Sequence, residues 1–425
     1  MDFPRVTAET PGAPRAFLRT LSQWVGGIIG SVVLMYALAG YLTDRLKWIS
    51  GAQDHTADRS LELGTERVVR GVASIHTEQS YDAKGSIDDV ASAARRAGLD
   101  FVLIGDHSPA PSPWATAVFH DSVLIGFGEE VDLPTVGRNL VVGMSAPLGW
   151  HKGDIDEYWD RVAETGATTI IVHGRSPRLS ERWTGDPIRA DGWEVFDVSE
   201  AARRTWGGPW GMYHLGSVLL RSTFGGMGES LLRMDRLGFE GPAVAGYDSM
   251  TLRGPLTALA GLNHHPKVSL LGRPVPHYNP FFETLVNHVI LRGDPRPSPS
   301  DELAAIQEAI RDGEVFISFG DAQQAASFRL ALVKATGAVI PMGAQVAAEQ
   351  GLRLVTSLMD TGGELLFRVV RNGQTAGHFR GSGLSVPVEG PGVYRVEAYR
   401  YAWRMGDLHF GLRPWIFSNP IHVLD

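Results

Sequence analysis

The chain has 425 residues, 44% hydrophobic and 20% charged, with a formal net charge of −8. That length predicts more than one folded unit, and the acidic balance argues against nucleic acid as the main partner. Cysteine is absent, which excludes disulfides, thiolate metal sites and a cysteine nucleophile, so any metal must be held by the 14 His and by carboxylates.

Between Arg19 and Asp44 the chain carries no charge. The core of this run, Trp24 to Leu42, is 19 residues long. At about 1.5 Å each they span roughly the hydrocarbon core of a bilayer. Trp24 and Tyr41 stand at its ends like an aromatic belt. An uncleaved transmembrane anchor is the expectation. A cleaved signal peptide competes, because Ala37-Leu38-Ala39 resembles a cleavage site; a buried core helix is the third reading. Arg5, Arg15 and Arg19 precede the run, and Arg45, Lys47 and Arg59 follow it, so flanking charge hardly sets orientation. A single anchor ahead of a large domain places that domain outside the cytoplasm. Residues 51–66 are polar and read as a linker.

From Gly71 to Ser108 the pattern is strand, loop, helix, strand. An apolar run ends at Ser74-Ile75-His76, a polar loop carries Ser80 and Asp82, and Val90, Ala93, Ala94 and Ala97 share one helical face. Phe101 to Ile104 is a second apolar run, stopping at Asp106-His107. A Pro-rich loop follows. Val123 to Val131 reads as one strand ending in Glu129-Glu130, and Leu140 to Met144 as another. Ile155 to Thr165 has helical spacing, closed by Gly166. Thr168 to Gly174 is a β-branched run containing His173. Trp193 to Val198 is a further strand, 209–239 looks mostly helical, and Leu256 to Gly261 leads into Asn263-His264-His265. Phe281 to Leu291 reads as helix or strand, and Asp301 to Arg311 as a helix. Strands alternating with helices imply an α/β fold with a mainly parallel sheet, expected to close as a barrel. From about Phe316 short β-rich runs take over, with turn signals at Asn372-Gly373 and Pro391-Gly392. They predict a β-sandwich over 346–425.

Seven positions gather at the ends of these runs: His76, Asp82, His107, Glu130, His173, Asn263 and His265. In a barrel, run ends converge on one face. His and carboxylates without Cys suit zinc, manganese or iron. Glu130 is the natural bridging carboxylate if two ions sit together, a pair that could polarise an ester or phosphoryl oxygen and activate a water.

These motifs resemble the polymerase and histidinol phosphatase (PHP) superfamily of metal-dependent hydrolases, in particular its carbaryl-hydrolase-like branch. The resemblance runs from about Arg70 onward. It rests on SIHTEQSYDAKG, GLDFVLIGDHS, GEEV, VHG, GLNHHPKV and the ending PWIFSNPIHV. It implies a distorted (β/α)7 PHP-type barrel over 67–345, behind a tail and anchor at 1–50. It implies a site for up to three metals: His76 and Glu130 at one ion, Glu130 and His173 at a second, and Asp82, His107 and His265 at a third. Asp106 would orient these ligands, and His107 or His173 would hold metal or shuttle a proton. Two positions depart from the family motif. Ser74 stands where the first His is expected, and Asn263 where the last Asp is. A second-ion His is also missing; His151 lies in the right interval, and Arg138-Asn139 occupy a position where the family often has a polar residue or His. His264, His277 and His288 are not expected to be ligands, and neither is Asp248. One or two divalent ions are therefore expected. The function implied is a membrane-anchored hydrolase of small-molecule esters or phosphoesters, against the alternative of a catalytically impaired binding or scaffold module.

Overall fold

The computed structural model describes residues 13–55, 61, 66–107, 115–148, 154–176, 178–209, 211–222, 239, 241–270, 273–359 and 363–425. The fold is mixed α/β, with one apolar N-terminal helix and a β-rich C-terminal region. Helix α1 spans Ala13–Arg45. Its segment Ser22–Leu42, of mean hydropathy 1.9, is long and apolar enough to cross a membrane, and its face is largely uncovered, with Trp24 70% exposed. Tyr36 Oη donates to Pro209 O at 2.7 Å, and the Tyr41 ring faces Phe410 at 6.5 Å. The helix runs straight into strand Leu46–Trp48, which pairs antiparallel with Leu408–Phe410.

The site-bearing strands are β1 (Glu66–Ile75), β2 (Phe101–Ile104), β3 (Gly128–Leu133), β4 (Gly137–Val142), β5 (Thr168–Val172), β6 (Gly192–Asp197) and β7 (Thr257–His264). β1 pairs in parallel with β2, and an isolated parallel bridge Asp106–Glu129 carries the sheet on to β3. β3, β4 and β5 pair antiparallel in turn. β5, β6, β7 and β1 then pair in parallel, so the pairings return to β1. The first half of β1 pairs antiparallel with Leu285–Arg292, which settles that segment as strand.

Local chemistry explains the elements. Helix α2 (Ile87–Arg96) starts on a capping box: Ser86 Oγ accepts from Asp89 N while the Asp89 carboxylate accepts from Ser86 N. Its buried face is Val90, Ala91, Ala93 and Ala94. Helix α3 (Ile155–Thr165) ends on Gly166 in the left-handed region at φ 67°. Asp197, the last residue of β6, caps helix α4 (Val198–Trp206). The run expected as one strand from Val123 to Val131 is two: Val123–Gly126 pairs with β2, and the chain breaks at Phe127. Gly128 is the reason, because a Cβ there would lie 2.6 Å from Val141 O and 2.9 Å from Ile104 O, so the backbones close up only on glycine. Of the segment expected to be helical over 209–239, α5 (Gly211–Ser222) is described; 210 and 223–238 lie outside the described residues, as do 56–60 and 62–65 of the linker and 108–114 of the Pro-rich loop.

In the β-rich C-terminal region, strand Arg329–Val333 pairs antiparallel with Arg353–Ser357. A four-stranded sheet and a larger one share an apolar cluster of Phe328, Leu330, Leu354, Phe367, Val396 and Trp415. Each such buried side chain is worth about 1.5–3 kcal/mol of transfer free energy. Asp248 joins the two parts: it accepts from Arg395 Nε and Nη2 at 2.7 Å each and takes no part in the site.

Candidate metal centre

The chain delivers seven polar side chains to one rim. His76 follows β1, His107 follows β2, Glu130 lies in β3 and His173 follows β5. Asn263 lies inside β7 rather than after it, with His265 just beyond. Ser74, His173 and Asn263 all hold left-handed backbone, at φ 58°, 55° and 49°. Non-glycine residues there cost of order 1 kcal/mol or more each and collect at functional sites. Two of these positions coincide with register breaks, between Val72 and Ile75 in β1 and between Gly261 and His264 in β7.

His76, Asp82, His107 and His265 form one cluster, with ligand-capable atoms all within 4.8 Å of one another. Asp82 Oδ2 lies 3.1 Å from His265 Nε2 and 4.0 Å from His107 Nε2; Asp82 Oδ1 lies 3.8 Å from His76 Nδ1. Both outer imidazoles are locked from behind. His107 Nδ1 is 3.1 Å from Glu130 O, and His265 Nδ1 is 2.9 Å from Asn263 O. A carbonyl can only accept, so each Nδ1 carries a proton, and each Nε2 is the nitrogen that faces Asp82. Ser80 Oγ donates to Asp82 Oδ1 at 2.6 Å and accepts from His107 N at 3.1 Å, tying the loop to β2. His76 is fully buried, and neither ring nitrogen makes a hydrogen bond of acceptable geometry. Burial pushes its pKa down to about 4 despite the pull of Glu130, so it is neutral, the form that binds a metal. Burial alone would raise Asp82, but its hydrogen bonds with His265 and Ser80 outweigh this and hold it ionised. Three imidazoles and one carboxylate, with both nitrogens of His76 lacking a hydrogen-bond partner, fit a divalent ion.

Glu130 sits beside this cluster. Its Oε2 is 3.2 Å from His76 Nε2, and its Oε1 is 3.8 Å from His107 Nε2 and 3.7 Å from His173 Nε2. Burial opposes its charge, yet the surrounding His76, His173 and His107 hold the carboxyl well below the usual range. Arg138 reaches the same Oε1 at 2.9 Å.

The neighbourhood of His173 is acidic. Its Nδ1 lies 3.1 Å from both Asp197 Oδ2 and Glu200 Oε1, and these hydrogen bonds outweigh burial and raise its pKa well above the ordinary value. Glu181 and Glu200 form one ligand-capable group with His173, and Glu194 and Asp197 another. The sequence reading missed all four. Two signals were present: Glu194 is a charge inside the apolar run WEVFDV, and Asp197 and Glu200 flank the β6–α4 junction.

Other expected residues are placed as follows. Asp106 does not reach a ligand imidazole; its two oxygens take Thr77 N and Thr77 Oγ1, both at 2.6 Å, which braces the residue after His76. Burial raises it to about 6. Asn263, in its left-handed turn, presents its amide nitrogen to His173 and to Asp197 Oδ2, the latter at 3.2 Å. Ser74 Oγ donates to Glu194 Oε2 at 2.8 Å. His264 Nε2 lies 3.0 Å from Pro276 O, His277 is exposed, and His288 is packed on Phe316. Asn139 accepts from Tyr158 Oη at 2.8 Å. His151 lies outside the described residues.

No family model matches the chain, and no curated protein matches its sequence. Five chains of solved structures do match. One is a two-domain protein from Bacteroides vulgatus containing a predicted PHP-like metal-dependent phosphoesterase. It is 12% identical, with a TM-score of 0.41, over 87% of this chain and 100% of its own. That likeness is loose, and the centre described above stands on its own geometry.

Proposed function

We propose that the protein is a metal-dependent hydrolase of ester or phosphoester bonds, carried on a distorted PHP-type barrel of the carbaryl-hydrolase-like kind and held at a membrane by α1, with a C-terminal β-sandwich. One observation supports it most: His107 and His265 have their Nδ1 protons committed to backbone carbonyls and their Nε2 atoms turned on the same carboxylate, Asp82. Metal-ligating histidines are oriented in this way. A divalent ion such as zinc or manganese would supply Lewis-acid polarisation and an acidified water. The chain's own part is to keep His76 neutral, hold the Asp82 loop through Ser80, and place Glu130 beside the reacting face as a proton acceptor.

A second reading, an impaired enzyme retained as a binding module, is favoured by Ser74, Asn263 and the Arg138–Glu130 pair, which remove donors from the neighbouring ion positions. Metal analysis and an activity screen on the detergent-purified full chain separate the two. The enzyme reading expects at least one tightly bound transition metal and turnover of an aryl ester, phosphomonoester or phosphodiester. Metal-free, folded protein after exposure to zinc and manganese would sink it.

A further inference from the structure

We propose that His173, Glu194 and Asp197, with the side-chain amide of Asn263 beside them, form a second cation site. Ligand-capable atoms of His173, Glu194 and Asp197 lie within 4.8 Å of one another, and all three side chains are buried. Glu200 also faces His173 but has Arg204 at 3.8 Å, so Glu194 and Asp197 are the buried carboxyl groups that share the imidazole with no guanidinium beside them. Among the described residues no Lys or Arg lies within ion-pair distance of Glu194 or Asp197, while Arg138 is committed to Glu130 and Asp132. Buried carboxyl groups with no basic side chain beside them except His173 offer a cation a ready set of oxygen donors.

Unpartnered oxygens point the same way independently. Asn263 is 3% exposed, its amide nitrogen contacts His173 and Asp197, and its Oδ1 has no hydrogen-bond partner. Glu194 Oε1 is likewise buried and unpartnered. The path of Glu194 is built for this. Its carboxylate crosses Gly261, where a Cβ would lie 1.6 Å from Oε2, and Ser74 takes that Oε2, leaving Oε1 free. Ser74 is small enough to admit the carboxyl group, and Glu194 brings carboxyl oxygens beside the amide of Asn263. Carboxylate and amide oxygens around a single imidazole favour Mn²⁺ over zinc, whereas the three-imidazole cluster favours zinc.

The test counts tightly bound zinc and manganese in the metal-stripped, detergent-purified full chain after dialysis against both ions. Wild type is expected to hold two equivalents. Glu194→Gln and Asp197→Asn should each lose one, and His265→Ala should lose the other. A wild-type count in Glu194→Gln overturns the second site. One equivalent that His265→Ala removes and Glu194→Gln does not would overturn this site alone and leave the hydrolase centre standing; the reverse pattern would do the opposite. No bound ion overturns both. Thermal melting guards against a folding artefact. Metal-free Glu194→Gln should melt at or above the wild type, with a smaller rise on adding Mn²⁺. A lower melting point with an unchanged Mn²⁺ rise would show that Glu194 is only structural.

Discussion

Arg138 grips Glu130, the carboxylate expected to bridge two ions: Nη1 lies 2.9 Å from Oε1, and Nε faces Asp132 at 2.7 Å. A fixed guanidinium therefore stands where a second ion would compete for that oxygen. Arg138→Gln should destabilise the metal-free protein by about 2 kcal/mol, less than the ~3–5 of a fully buried pair, since Arg138 keeps 19% of its side chain in solvent. It should also tighten divalent-metal binding at Glu130. Denaturant titration and metal titration check both, and a variant that is neither less stable nor a tighter binder would refute the competition.

His107→Ala and His265→Ala should each release the ion of the His76–Asp82 cluster. Hydrolysis should fall by more than the roughly 10–100-fold that loss of an outer partner costs. Stopped assays alongside elemental analysis give both readouts. Full activity in either variant would show that this cluster is not the working centre.

His288 makes stability depend on pH. It is buried, stacks on Phe316 at 4.4 Å and lies 2.8 Å from Ser318 Oγ. Burial first, then the charges of Arg70 and Arg329, push it down to about 3. Above its unfolded value near 6.5 it is neutral in both states. Below that value the unfolded chain takes up a proton that the native chain refuses, so stability is lost as pH falls towards 3. At pH 5.5 the loss from this group is about 1.4 kcal/mol. Denaturation at pH 7 and 5.5 should show a gap smaller by that amount in His288→Gln; equal gaps would exclude His288 as the cause.

Removing residues 1–45 should yield a protein that purifies without detergent and keeps its metal, while the full chain stays in the membrane fraction after alkaline extraction. A full chain released by that wash would contradict the proposed anchor.

What could be read from sequence follows from where the physics is local. Periodicity and capping made α2, α3 and β2 visible, and the ends of apolar runs marked His76, His107, Glu130 and His173. The contact of Asn263 with His173 and Asp197 was not foreseen, because its left-handed backbone breaks strand alternation, which no residue pattern reveals. Glu194 was hidden for another reason. Inside WEVFDV it looks like a solvent-facing residue of an alternating strand, and only the pairing of β6 with β7 turns it over Gly261 and into the pocket. Arg138 likewise acquires meaning only through β3 and β4 lying side by side.

The strand Leu46–Trp48 finds its partner at Leu408–Phe410, and Val315–Phe319 finds one at Arg413–Ser418. During synthesis both earlier strands leave the ribosome long before their partners exist. If α1 is already lodged in a bilayer by then, the strand beside it waits as an open edge at the lipid surface. Such long-range closure slows folding and exposes edges to wrong pairing. The β-rich end of the chain is thus the last stitch that fastens the body of the protein to the foot of α1.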